Sequence, residues 1–308
     1  MRQLVFIAFF LVISLESFAQ SFEFRVLANR GDNTVKTKGT SEWKPIRTGS
    51  TLFGGSEIKL SEGGYIGMMH KSGKTMEIKT PQVHDIDALS KNVLTKGSSV
   101  ASQYGEFLMA KMSTSDDSDV SASKLNNLNV TGAVSRAAGE DADIQMFIPK
   151  TSRVLNFDDA IIKWKSIDDV SSYKLEIQNL YSETVARKET ESNWYDLSKL
   201  QINIAEEGGL FLMVSGAGME GVNSQPYAIE MLTGPEKEKV EANLMKLKSE
   251  IQNEEHSLQK LILAMFYEEN KLYLHAFSCY NEILTEYPNE DFYKSVYLDF
   301  VERNKNNF

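Results

Sequence analysis

The stretch LAMFYEENKLYLHAFSCYNEILTEYP, residues 263–288, decides how the end of this chain folds. Apolar residues recur at helical intervals on both sides of the polar run EENK at 268–271. This spacing is typical of amphipathic helices, and the polar run is typical of a turn. The stretch therefore predicts a pair of helices joined by a short connection.

Helical spacing continues on both sides of this pair. Pro235 suits the first position of a helix, and Glu236 favours the positive end of the helix dipole. The helical period of the apolar residues predicts helices through residues 234–308. The apolar stripes of the four helices are Val240, Leu244, Leu247 and Ile251; Leu258, Leu261, Ile262 and Met265; Tyr273, Ala276, Phe277, Tyr280 and Leu284; and Phe292, Val296, Tyr297 and Phe300.

The central pair resembles a tetratricopeptide repeat, a helical hairpin of about 34 residues with small and aromatic side chains at fixed offsets. In a repeat that begins at Ser257, the matching positions are Leu263, Ala264, Tyr267, Ala276, Tyr280 and Pro288. Lys260 and Ile283 depart from the pattern. The resemblance implies that Ala276 lies where the helices cross and that Pro288 ends the second helix. An ordinary four-helix bundle is the alternative.

Residues 22–94 predict short strands separated by Gly-rich turns. The segment is similar to the extracytoplasmic domain of FecR-type proteins in four features: Trp43, GSTL at 49–52, GSEI at 55–58 and the strand at 76–78. FecR proteins have a cytoplasmic segment and a membrane span that contact a sigma factor. In this chain the sequence predicts a signal peptide in that place, which argues against direct transmembrane signalling.

Residues 130–233 also predict strands, at the spacing of a β-sandwich. The segment resembles a fibronectin type III domain through Trp164, the YKLEI strand at 173–177 and the LFLMV strand at 210–214. Leu210 stands where that family usually has Tyr. The predicted strands are 160–164, 172–178, 183–189, 210–216 and 226–232.

The N-terminus predicts a signal peptide. Arg2 precedes an uncharged apolar run, and the SFA sequence at 17–19 fits a cleavage site before Gln20. An uncleaved anchor is the alternative.

We expect a helix at 98–112 and a polar linker at 113–127. The predicted domains are a signal peptide (1–19), a FecR-like β domain (20–97), helix and linker (98–129), a fibronectin-like sandwich (130–233) and a tetratricopeptide-like helical domain (234–308).

Charge and cysteine content narrow the possible partners. The chain has 33 Lys and Arg against 43 Asp and Glu, a net charge of −10. This balance argues against nucleic acid and anionic lipid as partners. Cys279 is the single cysteine, so the chain has no intrachain disulfide. We expect a bacterial envelope protein, periplasmic or associated with the outer envelope, with no membrane span in the mature chain.

No catalytic, cofactor-binding or metal-binding motif is present in the sequence. His275 lies four residues before Cys279, but two ligands do not make a structural zinc site. The acidic pairs at 158–159 and 168–169 are typical of solvated turns. We therefore predict no catalytic residues, no cofactor and no metal.

The sequence predicts a multidomain, mainly β protein with C-terminal helical hairpins. The leading hypothesis is a non-enzymatic adaptor that binds protein partners through its helical region. Three alternatives are open: a glycan or peptidoglycan binder that uses Trp43, Trp194 or Tyr195; a regulatory component of FecR type; and a hydrolase that pairs His70 or His84 with a carboxylate.

The cleavage site can be checked directly. Because the uncharged run is shorter than the ~20 apolar residues of a membrane span, we expect cleavage after Ala19. Sequencing the N-terminus of the protein from an envelope fraction should give Gln20 first. An intact Met1 in a membrane pellet would show that the segment is an anchor.

Overall fold

A computed structural model describes residues 22–94, 144–147, 151–202 and 208–304. These residues form two compact units, one from residues 22–71 and 76–94 and the other from residues 72–75 and the described residues from 144 onward. The predicted signal peptide, the helix at 98–112 and the linker at 113–127 lie outside the described residues.

The first unit contains two four-stranded antiparallel sheets and one helix, α1 (Ile86–Leu94). The strands are β1 (Phe22–Arg30), β2 (Thr34–Lys36), β3 (Lys44–Pro45), β4 (Thr51–Phe53), β5 (Glu57–Lys59), β6 (Tyr65–His70), β7 (Thr75–Ile78) and β8 (Val83–Asp85). The strand order is β4-β1-β6-β7 in one sheet and β3-β2-β5-β8 in the other.

Both sheets contribute to one hydrophobic core. Leu52 of β4 and Ile58 of β5, which end the two FecR-like steps, are both fully buried in it. Helix α1 adds Ile86 and Val93 to the same core. The sequence predicted only strands here and missed this helix, although Asp85 has the character of an N-cap: its Oδ1 accepts a hydrogen bond from the backbone N–H of Ala88 at 2.8 Å.

The strands of the second unit form two β-sheets in the segment that was predicted to be a sandwich, and this segment is called the sandwich below. Five strands form one sheet in the order β12-β11-β14-β15-β9, in which only β9 runs parallel to its neighbour, and β10 pairs with β13 in a second sheet. The strands are β9 (Thr151–Val154), β10 (Ile161–Lys163), β11 (Tyr173–Asn179), β12 (Thr184–Thr190), β13 (Trp194–Asp196), β14 (Gly209–Gly216) and β15 (Tyr227–Met231).

The inward residues of the sandwich follow the predicted alternation. Trp164 is fully buried, and its ring meets Tyr173 edge-on at 5.3 Å between centroids. All five predicted strands are confirmed. The sequence missed β9 and β13, which span only four and three residues and show too little of the two-residue period to stand out.

All four predicted C-terminal helices are confirmed. They are α2 (Gly234–Ile251), α3 (His256–Glu269), α4 (Tyr273–Glu286) and α5 (Asp291–Arg303). Helices α3 and α4 form the expected hairpin. Every residue at 261–268 of α3 and 274–280 of α4 is buried, so both helices are covered on more than one face.

Part of this cover comes from the sandwich, because α4 packs against β9 and β10. Nε2 of His275 accepts a hydrogen bond from the backbone N–H of Leu155 at 3.3 Å, and Oγ of Ser278 accepts one from Ile161 at 2.9 Å. The predicted boundary at 233–234 thus marks the change from strands to helices, and both sides of it belong to one compact unit.

The last helix is fixed to the hairpin by a buried ion pair. The Arg303 guanidinium donates to both carboxylate oxygens of Glu268 at 2.9 and 2.8 Å, and Asn304 donates to the same carboxylate at 3.0 Å. Such bidentate geometry is the stronger form of a carboxylate contact. It connects the end of α5 to the end of α3.

The packing at Ala276 gives a stability prediction. Ala276 is fully buried in the hairpin. Ala276→Phe should overpack the site and lower the free energy of unfolding by about 1–3 kcal/mol. The measurement is chemical unfolding of a chain that begins at Gln20. Ala242→Phe on the exposed face of α2 is the matched control. Equal stability of the two variants would contradict close packing at Ala276.

His275 lies at the junction, the contact between α4 and the sandwich, and its burial gives a prediction of how stability depends on pH. Burial lowers the pKa of His275 to about 4 from an ordinary value of 6.5. The unfolded chain therefore takes up a proton at higher pH than the folded chain does. The contribution of neutral His275 to stability is complete above pH 6.5 and falls as the pH drops towards 4, by about 3 kcal/mol.

His275→Gln keeps a hydrogen-bond acceptor and removes the titrating group. Denaturant unfolding at several pH values should show a weaker loss of stability between pH 6.5 and 4 in this variant than in the natural chain. Ser278→Ala is the control, because it removes the neighbouring hydrogen bond to Ile161 and leaves the titrating imidazole of His275 in place. Its destabilisation should be the same at every pH. An unchanged acid slope in His275→Gln would refute the prediction.

Candidate functional site

An open cleft of about 650 Å³ lies between the two-stranded sheet of the sandwich and the helical hairpin. This volume is within the range of small-molecule and peptide side-chain pockets, about 300–1,000 Å³. The residues that give the cleft its chemistry are Lys163, Trp194, His256, Asn281, Glu282 and Glu286. It is our candidate binding site.

The sheet side of the cleft presents an aromatic ring and an amine. Lys163 of β10 lies directly opposite Trp194 of β13 in the antiparallel register, so the two side chains are on one face of the sheet. Trp194 is 44% exposed, which is unusual for so large an apolar side chain. The ammonium of Lys199 lies 5.9 Å from the centroid of the Trp194 ring.

The helix side presents polar groups from one face of α4. Glu282 and Glu286 are one helical turn apart, and His256 at the start of α3 lies near both carboxylates, with Nε2 at 3.9 and 3.8 Å. Nζ of Lys260 forms a close ion pair with Glu282 at 2.7 Å. The negative charge of Glu282 is therefore already balanced within the hairpin.

Lys163 is the exception in this charge arrangement. Its Nζ lies 3.4 Å from Oδ1 of Asn281, and no carboxylate of the described residues is within ion-pair distance of it. Burial lowers the pKa of Lys163. A partly buried ammonium with only an amide oxygen nearby is poorly compensated for its lost hydration.

The predicted repeat positions lie elsewhere. Five of them, Leu263, Ala264, Tyr267, Ala276 and Tyr280, are buried within the hairpin, and none lines the cleft. Pro288 is exposed, two residues after the end of α4. These residues shape the hairpin that holds the cleft wall.

The pair of His275 and Cys279 is part of the buried interior. The His275 ring stacks on Tyr267 at 5.0 Å, and burial raises the pKa of the Cys279 thiol to about 12. In the part of the chain that the structure describes, no group of three or more His, Cys, Asp or Glu side chains is placed to hold a metal ion.

The first unit brings His70 together with a carboxylate and a hydroxyl. Nε2 of His70 lies 2.9 Å from Oγ of Ser90 and 3.4 Å from Oε2 of Glu23. The Ser90 hydroxyl donates to the same Glu23 oxygen at 2.8 Å. In a nucleophilic triad the imidazole accepts the hydroxyl proton and contacts the carboxylate through its other nitrogen. Here the hydroxyl proton points to Glu23, and a single nitrogen meets both partners.

This cluster is also closed to substrate. His70 is 1% exposed and Ser90 is 8% exposed. Burial would raise the pKa of Glu23, but hydrogen bonds from Lys71 and Ser90 outweigh burial and lower it. The ionised carboxylate thus organises the three neighbouring groups, as buried polar networks in protein interiors do.

The remaining candidates from the sequence are structural or exposed. Trp43 is partly buried beneath the Lys36 ammonium, at 5.0 Å from the ring centroid, and Tyr195 is also partly buried. His84 donates to the carbonyl of Thr80 at 2.8 Å. The acidic pairs at 158–159 and 168–169 lie in exposed turns, where Asp159 and Asp169 both have a positive φ.

Sequence reasoning named Trp194 but missed Lys163, Asn281 and Glu282. A signal for the last two exists: Asn281, Glu282, Thr285 and Glu286 form a polar strip on a helix that is otherwise mostly apolar. The position of Lys163 depends on strand pairing over about thirty residues, which the alternation of a single strand does not encode.

Within the described ranges, no helix is both long enough and apolar enough to cross a membrane. The chain matches no family model, no curated protein and no solved structure.

Proposed function

We propose that this chain is a non-enzymatic adaptor of the bacterial envelope and that it holds a segment of a protein partner in the Trp194 cleft. The observation that supports this proposal most directly is the exposure of Trp194 inside a cleft with polar walls. Exposed tryptophans are rare on free surfaces but frequent at the centres of protein interfaces.

The cleft has the layout of a recognition site. An apolar floor favours binding by removing surface from water, and polar groups around it fix the orientation of the ligand. Trp194 and Ile161 supply the apolar part, and Asn281, Thr285 and His256 supply polar contacts. The helical region thus contributes one wall, in agreement with a partner that binds through this end of the chain.

The resemblances support the same class of function. A FecR-like domain, a fibronectin-like sandwich and a tetratricopeptide-like hairpin are all modules that bind other molecules. The signal peptide predicted for the first nineteen residues supports an envelope location for them. Catalysis is not required by any of these features, and the cluster at Glu23, His70 and Ser90 is a closed network.

A glycan is the second candidate ligand. Sugar rings stack their apolar faces on exposed tryptophans, and side-chain amides bind their hydroxyl groups. Trp194 lies in the cleft with two amides, Asn193 and Asn281. This combination favours a glycan over other small ligands.

The adaptor proposal predicts the effect of truncating the cleft aromatic. Trp194→Ala should reduce capture of the partner from envelope extracts at least about tenfold, as for an interface hot spot. In a chain that keeps Trp194, a photo-crosslinking residue placed at the exposed cleft position Thr285 should label the same partner. Quantitative mass spectrometry of the captured proteins is the measurement.

Tyr181→Ala is the matched control, because Tyr181 is an aromatic residue that is 86% exposed on the turn between β11 and β12. The Tyr181→Ala variant should capture as much of the partner as the natural chain does.

Protease treatment of the extract separates the two ligand classes. Loss of the Trp194-dependent ligand after proteolysis supports the adaptor, and its survival would identify a glycan. Equal capture by Trp194→Ala and Tyr181→Ala would reject the cleft.

A further inference from the structure

We infer that the cleft recognises a peptide segment that carries a carboxylate, which pairs with Nζ of Lys163, beside an apolar side chain, which packs on Trp194. This inference names the ligand class of the proposed adaptor site and rests on that proposal. It follows from the charges around the cleft and from the register of β10 and β13.

The first step concerns the missing counter-charge. Lys260 has Glu282 at 2.7 Å, and Lys199 has Asp196 at 4.0 Å. Lys163 has no such carboxylate among the described residues. The pairing of β10 with β13 fixes the position of its backbone, so Lys163 remains at the cleft. A charge held away from water without a counter-charge is unfavourable, even with an amide oxygen nearby, and such groups concentrate at functional sites.

The second step concerns the acidic residues of the same cleft. Two carboxylates, Glu282 and Glu286, would repel an anionic ligand if they were free. Glu282 is paired with Lys260, and its side chain is 36% exposed. Glu286 lies near His256 on the more exposed part of the cleft, with 47% of its side chain in solvent, where repulsion is screened. An anion at Lys163 is therefore compatible with the helix wall.

The third step concerns the neighbouring ring. Because Lys163 and Trp194 are a cross-strand pair on one face, their side chains lie side by side. A ligand that reaches the ammonium therefore also meets the indole ring. The best match is a carboxylate with an apolar or aromatic group next to it, which is the chemistry of an acidic residue adjacent to Phe, Leu or Tyr in a peptide.

Two peptides that differ in one group test the inference: acetyl-Ala-Phe-Glu-amide and acetyl-Ala-Phe-Gln-amide. We expect the Glu peptide to bind the mature chain at least about fivefold more tightly in titrations followed by the indole NMR signal of Trp194. Lys163→Met should remove this preference, and Lys163→Arg should retain most of it. Lys165→Met, two residues along on an exposed position, should leave the preference intact.

The outcomes are distinct from those of the adaptor test. Equal binding of the two peptides, or an unchanged preference in Lys163→Met, would overturn the inference even if Trp194-dependent capture of a protein persists. Binding of glucuronate with no binding of either peptide would also overturn it, in favour of an acidic glycan. Loss of the Glu preference in Lys163→Met with unchanged thermal unfolding of that variant would establish the ion pair.

Discussion

The second unit depends on one constraint: the backbone N–H groups of the sandwich that face α4 must find acceptors. His275 and Ser278 supply them, for Leu155 and Ile161, and Asn281 meets Lys163 next along the helix. Three polar side chains at intervals of three residues on α4 thus meet Leu155, Ile161 and Lys163 of the sandwich. Leaving such buried donors unpaired would be costly, so this spacing fixes both the position and the rotation of the helix on the sheet.

The same contacts determine where the cleft opens. His275 and Ser278 lie on the buried part of α4, and Asn281, Glu282 and Glu286 lie on its last turns, where the helix leaves the sandwich. The apolar residues of the hairpin hold α4 from the other side, among them Ala276 and Tyr280. The cleft is therefore the space left at the end of a helix whose course is already set by packing and hydrogen bonds, and its walls come from rigid elements.

The sequence was sufficient for features that repeat along the chain. The two-residue period gave β11, β12, β14 and β15, and the helical period gave α2–α5 with the buried positions Tyr267 and Ala276. It failed where structure depends on distant pairing. Strand β13 has three residues, which are too few to show a two-residue period. Helix α1 was missed because the segment around it consists mostly of strands. The polar His275 and Ser278 sit within a helix that was interpreted only through its apolar stripe, because a sequence does not show which strands will cover the other face.

The position of the cleft also links binding to stability. A ligand that touches Trp194 and Lys163 on the sheet and Asn281 on the helix bridges the two parts that the junction joins. Any ligand that binds only the folded chain stabilises it by mass action, by about 2.7 kcal/mol at a concentration one hundred times the dissociation constant. Here that stabilisation would act on the contact between α4 and the sandwich, because the ligand spans it. A ligand held in this way would couple binding to the contacts of His275 and Ser278: weakening those contacts would lower the affinity for the ligand, and binding would strengthen them.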